Sequence, residues 1–205
     1  MCSVTYDTVV VTGSSTSVFG VRVVKVEDSK LSVLRVINAN KDLYGIAHTD
    51  GRFVVSELGG KVYSLTQDGA TVLIHNYKNT CWYLTHDAVT GDTIVSVDTN
   101  TTGDAVVSRL STDKRHTDVM KVGGVVRGAC RGIDVDREGN IYVCGGDSHN
   151  VVQMSGDGTR VRELLTSAGG IRKPTAIAVR GDTFVVSNLN DNRNDRNNIH
   201  IFHLQ

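Results

Sequence analysis

Gly132-Ile133-Asp134-Val135-Asp136 is followed by Arg137-Glu138-Gly139-Asn140, then by Ile141-Tyr142-Val143-Cys144, a polar loop, Val151-Val152-Gln153-Met154 and Ser155-Gly156-Asp157-Gly158. Short apolar runs separated by Gly, Asn and Asp read as strand, turn, strand, loop, strand, turn. The order recurs from Gly45-Ile46-Ala47 through Phe53-Val54-Val55-Ser56 and Val62-Tyr63-Ser64-Leu65 to Gln67-Asp68-Gly69. A third copy runs from Ala176-Ile177-Ala178-Val179 through Phe184-Val185-Val186-Ser187 to Ile199-His200-Ile201-Phe202. A more degenerate copy joins Tyr83-Leu84-Thr85, Ile94-Val95-Ser96-Val97 and Val106-Val107-Ser108-Arg109-Leu110. Aligned on Ile46, Leu84, Ile133 and Ile177, the copies lie 38, 49 and 44 residues apart. That is the period of a four-stranded propeller blade.

Working outward, fourth strands are expected at residues 71–74, 118–122 and 161–165, and three strands of a further blade at 8–12, 21–26 and 31–37. After Phe202 no fourth strand follows. The expected fold is all-β, a propeller of four-stranded antiparallel blades at about 5–37 (partial), 43–76, 82–122, 131–166 and 175–205 (partial), in one domain. This amounts to 18 strands, or four and a half to five blades. A six-bladed ring would need roughly 240–280 residues at this period, so the chain is expected to be part of such a ring, with self-association through open edges possible. The one helical stretch considered is near 162–167. Composition agrees: 32 Val and 20 Thr make up a quarter of the 205 residues, and both are β-branched and suited to strands.

Twenty-two basic and 22 acidic residues balance, which removes the overall positive charge of a dedicated nucleic-acid binder. No apolar run approaches the length of a membrane span, and no basic-then-apolar leader opens the chain. A cytoplasmic location without membrane contact is expected. Cys2, Cys81, Cys130 and Cys144 show neither CxxC nor zinc-like spacing. Reduced thiols are therefore expected. Cys130 and Cys144 flank one turn symmetrically and form the one pair whose geometry is worth checking.

Cys130-Arg131-Gly132-Ile133-Asp134-Val135-Asp136 through Ile141-Tyr142-Val143-Cys144, with Ser148-His149-Asn150-Val151-Val152-Gln153-Met154 and Asp157-Gly158, resembles an NHL repeat. Such repeats build the C-terminal propellers of TRIM-type proteins. The likeness is strongest over residues 130–158 and weaker over 43–69 and 174–202. The repeat's opening Pro is Cys130 here, and its Asp after the second strand is replaced by Gly145, Glu57 and Asn188. The resemblance implies a six-bladed ring acting as a substrate or partner receptor, with RNA binding in some relatives. A ubiquitin-ligase activity would need a RING domain outside this chain.

No HExxH, GxSxG, GxGxxG or Walker loop occurs, so no catalytic residue, metal or cofactor is expected. Acidic turn residues, Asp50, Asp92, Asp136, Asp157 and Asp182, recur once per turn beside Gly and read as backbone-bonding turns rather than calcium loops. Arg180-Gly181-Asp182 reads as a turn as well. The expected binding face is built from the loops leading into each first strand and those joining second to third strands. The first set carries Lys41, Lys78, Arg127, Arg131, Arg172 and Lys173 against Asp42. The second carries Glu57, Asp98, Asp104, Asp147, Asp191 and Asp195 against Arg193 and Arg196. Such a mosaic predicts weak, salt-sensitive RNA binding and suits a protein or peptide partner. Tyr77 is counted among the binding residues, whereas Trp82 is expected between blades. An enzymatic alternative, a metal-dependent propeller hydrolase or lyase, would need polar ligands on the inner strands, where Asp134 is the exception among apolar residues.

Overall fold

The structure is a computed structural model that describes residues 1–5, 7–15, 18–49, 51–98, 106–113, 115–121, 124–127, 130–189 and 198–204. Short β-branched runs punctuated by turns produce five antiparallel sheets, the blades of a propeller. The first holds β1 (Cys2–Ser3), β2 (Thr8–Ser15), β3 (Val18–Glu27) and β4 (Lys30–Asn38). The second holds β5 (Leu43–Thr49), β6 (Arg52–Glu57), β7 (Lys61–Leu65) and β8 (Thr71–Asn76). The third holds β9 (Cys81–His86), β10 (Thr93–Val97), β11 (Val106–Leu110) and β12 (His116–Lys121). In the fourth are β13 (Cys130–Val135), β14 (Ile141–Gly145), β15 (Asn150–Met154) and β16 (Val161–Leu165), and in the fifth β17 (Pro174–Arg180), β18 (Thr183–Asn188) and β19 (Ile199–His203). Within every sheet the strands pair in chain order.

Two expectations change. The first blade has four strands rather than three, because Cys2 and Ser3 pair with Val10 and Val9. A two-residue strand is too short to show a period of two, so only its partner reveals it. The stretch considered helical near 162–167 is strand as far as Leu165, as the fourth-strand reading of 161–165 expected: β16 pairs with β15 through Val152↔Glu163 and Gln153↔Arg162. The chain then makes a single 3-10 turn at Ser167–Gly169.

Innermost strands β5, β9, β13 and β17 lie side by side, and β2 lies against β5. Four apolar clusters fill the gaps between consecutive blades. Val10, Val21, Ile37, Ile46 and Val55 join the first two, and Val54, Val62, Leu84, Val95 and Leu110 join the second and third. Ile94, Val107, Ile133 and Val143 join the third and fourth, and Cys144, Val151, Phe184 and Val186 the fourth and fifth. Each fully buried aliphatic side chain contributes about 1.5–3 kcal/mol, so these clusters are a major source of stability between the sheets. All four cysteines are free, and Cys81, Cys130 and Cys144 are buried.

Candidate functional site

Bonds between loops knit together the end of the molecule where the inner strands begin. The Tyr77 amide donates to the Gly60 carbonyl (2.9 Å), that of Asp98 to Thr80 (2.9 Å), and that of Leu189 to Lys173 (3.0 Å). The Lys173 amide donates to His149 Nδ1 at 3.0 Å. Asn150 Nδ2 donates to the Val125 carbonyl at 2.8 Å. Gly60 permits the approach: a Cβ there would lie 2.2 Å from the Asn79 carbonyl oxygen and 2.5 Å from that of Tyr77. With their backbones held in this way, the loops present side chains from a rigid frame.

The expected cations fare differently. Lys78, Arg127 and Arg172 are exposed, while Arg131 and Lys173 are half-buried. Lys41 is engaged locally, its Nζ 4.3 Å from the centre of the Tyr63 ring, in reach of a cation–π attraction. The Tyr63 hydroxyl donates to Glu57 at 2.7 Å, and burial together with that bond pushes its pKa up to about 12. Arg193 and Arg196, with Asp104, Asp191 and Asp195, lie outside the described residues.

Tyr77 is a correction. It is 7% exposed, in the cluster between the second and third blades, with its ring 4.4 Å from that of His75 and 5.2 Å from that of His116. Its amide holds the loop, but its ring packs inward and presents little to a partner.

Sequence reasoning missed the aromatic pair at the centre of this end. Leu43, Cys81, Cys130 and Pro174 each open an inner strand opposite Glu57, Val97, Gly145 and Asn188. The next residues, Tyr44, Trp82, Arg131 and Thr175, therefore occupy one tier at the mouth of the propeller. Tyr44 and Trp82 meet edge to face with centroids 5.1 Å apart, a favoured aromatic geometry. Trp82 is half-buried rather than enclosed between blades, and its Nε1 donates to Asp98 Oδ2 at 3.2 Å. The Tyr44 carbonyl takes the Thr12 hydroxyl at 2.6 Å, which ties the tier to the first blade. Burial raises the pKa of Tyr83, beside the tier, and the nearby Arg131 charge opposes that rise. The signal in the sequence was the position of Tyr44 and Trp82 within the repeat, one residue before the first inner-strand glycine or its equivalent.

The axial carboxylate singled out for a metal is used otherwise. Asp134 Oδ1 accepts the Thr85 hydroxyl (2.9 Å) and Oδ2 the Val179 amide (2.7 Å), joining the third, fourth and fifth blades. Burial raises its pKa against these bonds.

The solved structures similar to this chain share its architecture. A protein of unknown function from Bacteroides thetaiotaomicron superposes with a TM-score of 0.71 at 12% identity, over 90% of this chain and 55% of that one. The fold is a β-propeller. A chain from a nidogen/laminin complex matches with a TM-score of 0.60 and 14% identity over 82% of each chain. Virginiamycin B lyase from Staphylococcus aureus matches at 0.59 and 15%, over 90% of this chain and 63% of the lyase. This propeller thus spans under two thirds of the lyase's length, and at these identities the likeness is one of fold. Neither a family model nor a curated protein matches the sequence.

Proposed function

We propose that this propeller is a non-enzymatic interaction module whose loop face holds a protein or peptide. The observation that carries the reading is the half-exposed Tyr44–Trp82 pair one blade away from Arg131. Tyr, Trp and Arg are the side chains that most often dominate binding energy at protein interfaces. The exposed cations Lys78, Arg127 and Arg172 lie in loops at the same end and favour an acidic segment, with steering rather than affinity as their main effect. A propeller chain in a nidogen/laminin complex supports protein partners in general. The NHL-like repeat at residues 130–158 supports the finer reading of a substrate-receptor propeller of TRIM type. Four free thiols support a reducing compartment, the cytoplasm.

Selection from a random-peptide display library against the immobilised protein tests this. Peptides carrying acidic residues are expected, and Trp82→Ala or Arg131→Glu should each weaken them at least tenfold, Arg131→Glu with little change in melting temperature. Peptides bound equally by both variants would overturn the assignment of the face. Retention of an RNA oligonucleotide pool at about 150 mM salt, which weakens purely phosphate-driven binding, would replace the peptide by RNA.

A further inference from the structure

The repeats can be compared position by position, because strand pairing fixes equivalent residues. On the second blade Val54 pairs with Ala47 and Ser64; on the third, Ile94 pairs with Thr85 and Arg109; on the fourth, Tyr142 pairs with Asp134 and Gln153. Ser64, Arg109 and Gln153 are therefore equivalent. Two residues beyond Ala47, Thr85 and Asp134, so are Thr49, Asp87 and Asp136.

On the third blade this pair of positions holds an ion pair that fills the gap to the fourth. Arg109 donates to Asp87 at 2.7 Å and to Asp92 at 3.2 Å, and its other nitrogen reaches across to the Gly156 carbonyl at 3.1 Å. On the fourth blade Asp136 takes the Tyr142 hydroxyl at 3.0 Å, which in turn accepts from Gln153 at 2.6 Å. On the second blade the same two positions are Thr49 and Ser64, side chains too short to meet anything across the gap. A cavity of about 380 Å³ remains between the second and third blades. It lies at the end of the propeller opposite the loop face.

The lining has a defined chemistry. Val54, Val72, Ile74 and Leu110 make up its apolar part, and Thr49, Ser64, Thr93 and Thr112 add hydroxyl-bearing residues. The hydroxyls of Thr66 and Ser111, also in the lining, are committed to the turn residues Asp68 and Asp113. Arg52 is the one charged side chain among the described lining residues. Thr49 Oγ1 is buried and has no hydrogen-bond partner among the described residues. A buried polar atom left unpaired is costly, so Thr49 Oγ1 in the wall of the cavity marks a place where a ligand would supply the missing bond.

We infer that this inter-blade cavity is a binding site for a small sugar acid. Its volume falls within the range of ligand sites, about 300–1,000 Å³. Hydroxyl groups that both donate and accept match a polyol, the apolar side with the exposed Val72 matches the C–H face of a pyranose ring, and the exposed Arg52 pairs with the carboxylate. The inference is independent of the loop-face reading, since it uses the other end of the molecule.

Titration calorimetry with D-glucuronate and, separately, D-glucose tests the site. Glucuronate is expected to bind saturably, at least tenfold more tightly than glucose. Ser64→Met, which fills the gap as Arg109 fills the next one, is expected to abolish binding. Arg52→Gln, an exposed change that keeps the fold, is expected to bring glucuronate down to the affinity of glucose. No saturable glucuronate binding at millimolar concentration, equal binding of the two sugars by the unaltered protein, or unchanged glucuronate binding by Arg52→Gln would each overturn the inference. Should Ser64→Met fail to fold, the Arg52→Gln result decides.

Discussion

Asp134 of β13 accepts the backbone amide of Val179 on β17 at 2.7 Å, so a side chain of one blade completes the hydrogen bonding of the next. Its other oxygen takes the hydroxyl of Thr85 on β9 at 2.9 Å. Three inner strands, far apart in sequence, thus share one carboxyl group. The apolar contacts between blades are non-directional, whereas this one has a fixed register.

Replacing Asp134 should separate its charge from its geometry. Asp134→Leu leaves the Val179 amide without an acceptor and is expected to cost about 2–3 kcal/mol in chemical denaturation. Asp134→Asn can accept from Val179 and donate to Thr85, so it should stay near the unaltered protein. Burial raises the folded pKa of Asp134. The protonated group therefore fits the fold better, and its contribution is full below the unfolded value near 3.8 and falls as pH rises through the raised value. Across that window Asp134→Asn is expected to flatten the pH dependence of the unfolding midpoint. An unchanged slope would show that another group titrates there.

Arg109→Met should be among the most damaging surface-proximal changes. Asp87 is 1% exposed and would keep its carboxylate with neither guanidinium nor solvent. Losing one member of a buried pair costs about 3–5 kcal/mol, and the Gly156 carbonyl loses its donor as well. For Asp87 burial acts to raise the pKa, but the bonds from Arg109 and Thr90 outweigh it and leave the value lowered. The stability this provides is present above the unfolded pKa of 3.8 and is lost as pH falls through the lowered one. In Arg109→Met this acid-linked loss should disappear, so the gap in melting temperature between the variant and the unaltered protein is expected to narrow as pH falls below about 3.8.

Gly132→Ala tests how closely the fourth and fifth blades approach. A Cβ at this position would lie 2.5 Å from Ala176 Cα and 2.8 Å from the Ile177 amide nitrogen, both backbone atoms that cannot rotate away. Overpacking of this kind costs about 1–3 kcal/mol or more. The expected readout is a lower melting temperature with faster amide exchange in β17, while exchange in the second blade stays unchanged.

Cysteine labelling reports on the same gaps. Burial pushes Cys81 and Cys130 up to about 12 and Cys144 higher still, with Cys130 adding to the effect at Cys144. Thiolate is the reactive form, so at pH 8 iodoacetamide is expected to leave these three unmodified in the folded protein. All should react once denaturant unfolds it, as read by mass spectrometry. Rapid labelling of Cys130 in the native state would mean that the third and fourth blades separate readily.

What the sequence by itself determined is what local physics determines. A period near 44 residues, turns of Asp and Gly, and runs of β-branched residues fix strands, their order and their pairing with chain neighbours, because each depends on residues a few positions apart. Asp136 shows this, since it closes its own turn by accepting the Glu138 and Asn140 amides, as the spacing suggested. What only the tertiary structure decided is which side chains meet across the gap from one blade to the next. Tyr77 turns inward onto His75 and His116, Tyr44 meets Trp82 at the mouth, and Thr49 with Ser64 leaves open a space that Asp87 with Arg109 closes one blade later. These outcomes depend on the distance and twist between sheets. A pattern read along one strand sets which face a residue occupies, but not what lies opposite it.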